Sequence, residues 1–192
     1  MNTVEIDQQE YLIIKELVKD PRISDNQISK KTKVPVKTVN RKRKLLEKSG
    51  IISYHTNVDN TLTGTGKFGA KQQYIITFKY GITRSIIFEI LKSNIPSKIE
   101  MKHISECSIG DKDGHAIVTM TIESRVESDI IEVFNAEILP KLKRLLGEDA
   151  VIKTDVLTFN SHFIKMHNYM PFINMRNGKI KEEWSDDLVF ID

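Results

Sequence analysis

Lys37, Asn40, Arg41, Lys44 and Lys48 follow an i, i+3, i+4, i+7, i+11 spacing. On a helix that spacing aligns five side chains on one face. Their chemistry is recognition of nucleic acid: arginine forks onto guanine, an asparagine amide pairs with adenine, and lysine neutralises phosphate. Phosphate binding alone would not need Asn40. Lys37, Asn40 and Arg41 are therefore assigned to base readout, and Lys31, Lys33, Lys44 and Lys48 to phosphates. The charge distribution agrees. The 192 residues carry 29 Lys and Arg against 26 Asp and Glu, a net charge of only +3. Between Lys30 and Lys48, however, nine basic residues stand against one acid, Glu47, a local +8 that leaves −5 for the rest of the chain. A basic block in a near-neutral chain is the footprint of a phosphate-binding surface.

The elements that must carry this stripe are legible around it. Ile6, Ile13, Ile14 and Leu17 recur at near-helical spacing and predict an amphipathic helix over residues 7–19, capped by Asp7 and stopped by Asp20-Pro21. Ser24 and Gln27 form a capping-box pair opening a short helix to about Lys31. Thr32-Lys33-Val34-Pro35 is a turn, and Pro35 pre-sets the backbone for a third helix over 36–48, with Gly50 as its end marker. Val36, Val39 and Leu46 are expected on the inner side of that helix. At roughly 20 Å it is long enough to lie in a major groove. Helix, short helix, four-residue turn and basic helix make a helix-turn-helix.

Ile6-Asp7, Arg22-Ile23-Ser24, Thr38-Val39-Asn40-Arg41 and Leu46-Glu47-Lys48-Ser49-Gly50-Ile51-Ile52 resemble, in residues and in spacing, the DNA-binding half of Lrp/AsnC (feast/famine) transcription regulators. The resemblance implies a winged helix-turn-helix whose third helix, Thr38 included, reads DNA, and a strand beginning within Ile51 to Val58. Two positions depart from the pattern. Val34 stands where a serine cap usually precedes the proline, and Arg43 stands where the family has an apolar residue. Either the Arg43 stem packs while its head snorkels, or the helix is rotated slightly.

Beyond the helix-turn-helix domain (1–58), residues 59–69 read as a Thr- and Gly-rich linker. From 70 to 160 the periodicity alternates in the order βαββαβ, a ferredoxin-like domain. Its strands are expected at Tyr74 to Tyr80, Ile99 to Ile109, Ala116 to Ile122 and Val151 to Phe159. One helix carries Ile86, Ile87, Ile90 and Leu91. The other is capped by Ser128, has Ile131, Phe134, Ile138, Leu142 and Leu145 as its inner stripe, and is kinked by Pro140. The fold class is thus α+β. The resemblance implies that this second domain dimerises through its sheet and binds small molecules, often amino acids, near inter-subunit contacts. Its mark is a G-x-x-D turn, in which Gly110 and Asp113 take the effector-binding places. Residues 161–192 form a C-terminal extension, with a hairpin signal at Arg176-Asn177-Gly178-Lys179 and an acidic end. It reads as a hairpin packed on the sheet, a dimer arm, or a screen competing with DNA for the basic helix.

Other chemistries find little support. No apolar run reaches transmembrane length and the first residues lack a signal peptide pattern, so no membrane partner and a cytoplasmic setting are expected. Cys107 is the only cysteine and reads as a small buried hydrophobe. His103 and His115 can face each other across a hairpin, but two histidines are too few for a structural metal site. No phosphate-binding or nucleophile motif is present, so neither cofactor, metal nor enzymatic activity is expected. The reading is a regulator binding double-stranded DNA as a homodimer or higher even-numbered assembly, with a possible amino-acid effector. Its alternatives are a small-molecule sensor with secondary DNA binding and, on the same scaffold, a haem-pathway decarboxylase-like enzyme.

Overall fold

A computed structural model describes residues 6–58, 60, 64–160, 167–170 and 173–191. Asp59 and residues 61–63 of the expected linker, with His162, Phe172 and Asp192, lie outside these. The described residues divide into two compact units, one within 1–56 and 162–192, the other within 57–161.

In the first unit α1 (Gln8–Lys19), α2 (Asp25–Thr32) and α3 (Val36–Lys48) follow in order. Asp7 accepts from the Glu10 amide while Glu10 reaches back to Asp7, and Ser24 and Gln27 repeat this for α2. Both boxes satisfy amides that a helix start leaves over. Lys33 closes α2 in the left-handed region at φ 63°, and Gly50 follows α3 at φ 77°. Ile13, Leu17, Ile23, Ile28, Val34 and Val39 make the core. Val36, expected inside, is exposed because it sits in the first turn at the rim of that core; the buried face runs through Val39, Lys42 and Leu46. The strand expected within Ile51 to Val58 does not form. A strand needs a ladder partner, and this stretch has none among the described residues.

The C-terminal segment joins this first unit, not the sheet. β5 (Met175–Arg176) pairs with β6 (Lys179–Ile180) across Asn177-Gly178, whose φ values of 52° and 76° are those of a type I′ turn. The C-terminal half of α1 explains the docking, since its last turn offers leftover carbonyls and Lys19, with Lys15 one turn before. Tyr169 donates its hydroxyl to the Val18 carbonyl at 3.0 Å, Lys179 lies 2.5 Å from Asp20, and Asp186 pairs with Lys15 and Lys19. Asn174 is fully buried and holds the segment together, donating to the Asn168 carbonyl at 2.7 Å and accepting from the Met170 amide at 3.0 Å.

The second unit is an antiparallel sheet of β1 (Ala70–Phe78), β2 (Ile104–Lys112), β3 (His115–Ser124) and β4 (Val151–Thr158) in the order β2-β3-β1-β4. That order, with helical crossovers after β1 and β3, is the ferredoxin-like arrangement. Tyr74, Ile76, Phe78, Ala116, Val118, Met120 and Ile122 alternate onto one face, under Ile87 of α4 (Arg84–Ser93) and the helical segment before β4. That segment runs as α6 (Glu127–Val133), a π turn (Phe134–Ile138) and α7 (Leu139–Leu146). Tyr74 stacks on Phe134 at 4.0 Å between ring centroids.

Several expectations change here. Residues 98–103 form a short helix, α5 (Lys98–His103), not the start of a strand, because Ser97 and Glu100 make a third capping box. Val126, not Ser128, precedes α6, and Ile130, not Ile131, points inward, one residue off the expected stripe. Pro140 lacks an N–H and crowds the carbonyl four residues back. The helix answers with the π turn, in which the Leu139 amide donates to the Phe134 carbonyl five residues back. Cys107 is exposed, since β2 is the sheet edge and the helical layer leaves it open.

Candidate nucleic-acid interface

The expected stripe forms. Lys37, Asn40, Arg41, Lys44 and Lys48 are all exposed on α3, with Thr38 half-buried beside them. Lys33 extends the stripe from the left-handed turn. Lys37, Arg41, Lys44, Lys48 and Lys33 have no carboxylate partner among the described residues. Lys30 of α2 is likewise exposed and unpaired. Helical spacing on α3 does not reach it, although it opens the basic block.

Three of the nine cations are used internally. The Lys42 side chain is only 8% exposed and its ammonium meets Asp7 and, at 3.2 Å, Glu10. The Lys42 ammonium and the Glu10 amide hold the Asp7 carboxyl below its ordinary range, and Asp7 and Glu10 in turn raise Lys42. Arg43 resolves its departure from the family pattern by pairing rather than snorkelling. Its guanidinium donates to the Ile23 carbonyl and to Asp25 and Glu47, each at 3.1 Å, and lies 5.5 Å from the Tyr54 ring centre. Burial works against its charge, but Glu47 and Asp25 outweigh it and raise its pKa. Lys31 reaches back to Glu16 of α1 at 2.9 Å. Asn40 donates its amide to Asp25 at 2.8 Å, so base pairing by Asn40 requires exchanging that partner. The third helix starts at Pro35 with no side-chain cap, as Val34 implies.

In the second unit Gly110 lies within β2, opposite Ile117, and Asp113 forms the hairpin turn with Gly114 at φ 52° and 81°. The turn itself is thus made by Asp113 and Gly114, and Gly110 precedes it in the strand. The Asp113 carboxylate is exposed, with no ion-pair partner among the described residues. His103 and His115 do not face each other. His103 meets the Glu123 carbonyl at 2.8 Å, and His115 meets the Phe78 carbonyl at 2.8 Å beside Tyr80. Among the described residues no group of three or more His, Cys, Asp or Glu is placed to hold a metal, and no helix is long and apolar enough to cross a membrane.

Residues 6–53 match a family model described as winged helix-turn-helix DNA-binding. A comparison with curated proteins gives no match. Among solved structures, LrpC of B. subtilis is 20% identical with a TM-score of 0.59, covering 85% of this chain and 100% of its own. AsnC of E. coli is 15% identical with a TM-score of 0.60, covering 85% of this chain and 97% of its own. A transcriptional regulator of Neisseria meningitidis, solved as a complex with L-Met, is 12% identical with a TM-score of 0.60, covering 88% and 98%. The chain thus carries a helix-turn-helix of the winged class, followed by a mixed α/β domain, in the fold of Lrp/AsnC-type regulators.

Proposed function

We propose that this chain is a DNA-binding transcription regulator of the Lrp/AsnC type, which grips double-stranded DNA with the outer face of α3. The observation that carries this reading is the sorting of charge on α3. Lys42 and Arg43 are paired within the unit, while Lys37, Arg41, Lys44 and Lys48 stand exposed on one side with no carboxylate partner among the described residues. Lys37, Asn40 and Arg41 read bases. Lys33, Lys44 and Lys48 hold phosphates, joined by Thr38 and, once it leaves Glu16, Lys31. A homodimer or higher even-numbered assembly, formed through the sheet, sets two α3 helices into half-sites ~34 Å apart or at multiples of that distance. The regulator works where the DNA is, in the cytoplasm.

A small-molecule effector belongs to the same reading. Its support is the Neisseria neighbour's L-Met complex and the exposed carboxylate of Asp113 on the turn beside Gly110. The experiment is selection of bound DNA from a random pool at stated salt, followed by binding of the enriched sequence to Arg41→Ala and Lys44→Ala. An enriched palindrome whose affinity both variants lose supports the reading. No enrichment, or unchanged affinity and salt dependence in both, sinks it.

A further inference from the structure

The C-terminal segment docks on α1 through charges that reach into the basic block. Asp186 pairs with Lys15 and Lys19, and the Lys19 ammonium donates to its carboxylate. The same ammonium lies 3.6 Å from Glu16, one turn back on α1, which is beyond hydrogen-bond distance. Glu16 is thus left with a poor partner on its own helix, although its side chain is only 11% exposed. Its Oε2 is buried and makes no hydrogen bond among the described residues. Lys31 of α2 supplies the missing charge, with Nζ 2.9 Å from that oxygen but without hydrogen-bond geometry. A buried carboxylate left without a cation is strongly destabilising, and two lysines are in reach of this one. Lys31 itself is 52% exposed and stands between Lys30 and Lys33, both exposed with no carboxylate partner among the described residues. Asp20 is not open to it, because Lys179 of the segment already meets that acid.

We propose that the docked C-terminal segment withholds Lys31 from DNA: Asp186 draws Lys19 away from Glu16, and Glu16 then holds Lys31 in its place. When Asp186 leaves, Lys19 closes on Glu16, to which its i, i+3 position already brings it. Lys31 then joins Lys30 and Lys33 as a cation for phosphate. The two states differ in which of two ammonium groups neutralises one buried carboxylate. Such an exchange of like partners is finely balanced, so one acid is enough to bias it. The segment therefore lowers DNA affinity from α1, without pairing with the cations of the α3 stripe. The part of the inference that concerns DNA rests on the DNA-binding reading of this unit; the exchange of lysines on Glu16 does not.

The test has two arms, both on the full chain. In the first, without DNA, lysine amines are briefly acylated and the labelling of each is read by mass spectrometry. Asp186→Ala is expected to raise the labelling of Lys31. In the second, anisotropy of the selected DNA is followed across a salt series. There Asp186→Ala steepens the slope of log K against log salt by about 0.9 and raises affinity roughly fivefold at physiological salt, the effect of one added phosphate contact. Asp187→Ala is the control, since it removes an equal exposed charge that has no ion pair among the described residues. It moves neither readout by a comparable amount. In a Lys19→Ala background Asp186→Ala releases nothing, because no second ammonium is left to take Glu16. Far-UV circular dichroism of each variant separates a released lysine from a lost fold. Unchanged Lys31 labelling, an equal effect from Asp187→Ala, or the same gain without Lys19 overturns the proposal. So does raised labelling with an unchanged salt slope on DNA that the natural chain binds. Raised labelling in a chain that binds no DNA at all upholds the exchange on Glu16 and overturns the DNA-binding reading instead.

Discussion

Arg41 and Lys44 flank Lys42 and Arg43 on α3, and like charges in four consecutive residues do two different jobs. Lys42 meets Asp7 and Glu10, and Arg43 meets Asp25 as well as Glu47 of its own helix, so their charge binds α3 to α1 and α2. Arg41 and Lys44 meet no carboxylate among the described residues. The helical turn of about 100° per residue makes the split, because it carries adjacent positions onto different faces. With Lys31 held by Glu16, six of the nine cations in the basic block meet no carboxylate among the described residues. A density of basic residues therefore overstates the charge offered to DNA, and a structure is needed to subtract what the fold keeps.

The largest break in that contrast comes from the outer set. Replacing Lys37, Arg41, Lys44 and Lys48 together by Ala lowers DNA affinity by roughly 10³-fold or more at physiological salt. The slope of log K against log salt falls by about 0.9 for each phosphate left without its cation. Melting stays unchanged. Fluorescence anisotropy across a salt series checks both, and retained affinity would place the DNA elsewhere. Lys42→Ala is the mirror image. It leaves the salt slope unchanged but lowers the urea midpoint of the first unit, because it removes the packed Lys42 stem and leaves the half-buried Glu10 without its cation. A wild-type midpoint for this variant would erase the distinction between the two sets. Lys33→Gly sharpens it from a third side. A left-handed non-glycine residue costs about 1 kcal/mol, so the variant melts no lower than the natural chain, yet its salt slope drops by about 0.9.

The smallest effect is acid-driven and concerns the C-terminal segment. Lys19, then Lys15, hold the Asp186 carboxyl below its ordinary range. At Asp20, burial pushes upward but the Lys179 ammonium and the Arg22 amide prevail. Carboxyls lowered in the folded state stabilise it above their unfolded pKa, and that contribution is lost as pH falls through the folded values. The segment is therefore expected to stay docked at neutral pH and to loosen below about pH 4. Trp184, the only tryptophan and half-buried in this segment, reports it. Its fluorescence should shift before the far-UV circular dichroism does. Coincident transitions would mean the segment is not separately held.

Features written in adjacent residues were legible. Asp7 with Glu10 and Ser24 with Gln27 announce their helices, and the Asn177-Gly178 dipeptide announces its turn, because each partner lies within a few residues. The alternation of β1 and β3 and the outer stripe of α3 follow from period alone. Ser97 and Glu100 carried an equally local signal for α5, hidden by the accidental alternation of Ile99, Met101 and His103. What could not be read depends on distant chain. The partner of Lys42 lies 35 residues away, the dock for Tyr169 is 151 residues away, and the exposure of Cys107 depends on which strand becomes the edge.

Asp7 serves two elements at once, closing the first turn of α1 and neutralising Lys42 on α3. Fraying at that turn is therefore not a local event. Freeing the carboxylate uncovers an ammonium at the centre of α3, and displacing that helix strips the cap from α1. Two segments that would otherwise open independently become one cooperative unit. Order in the helix proposed to grip DNA is thus guarded from its far side, by a residue outside its basic stripe.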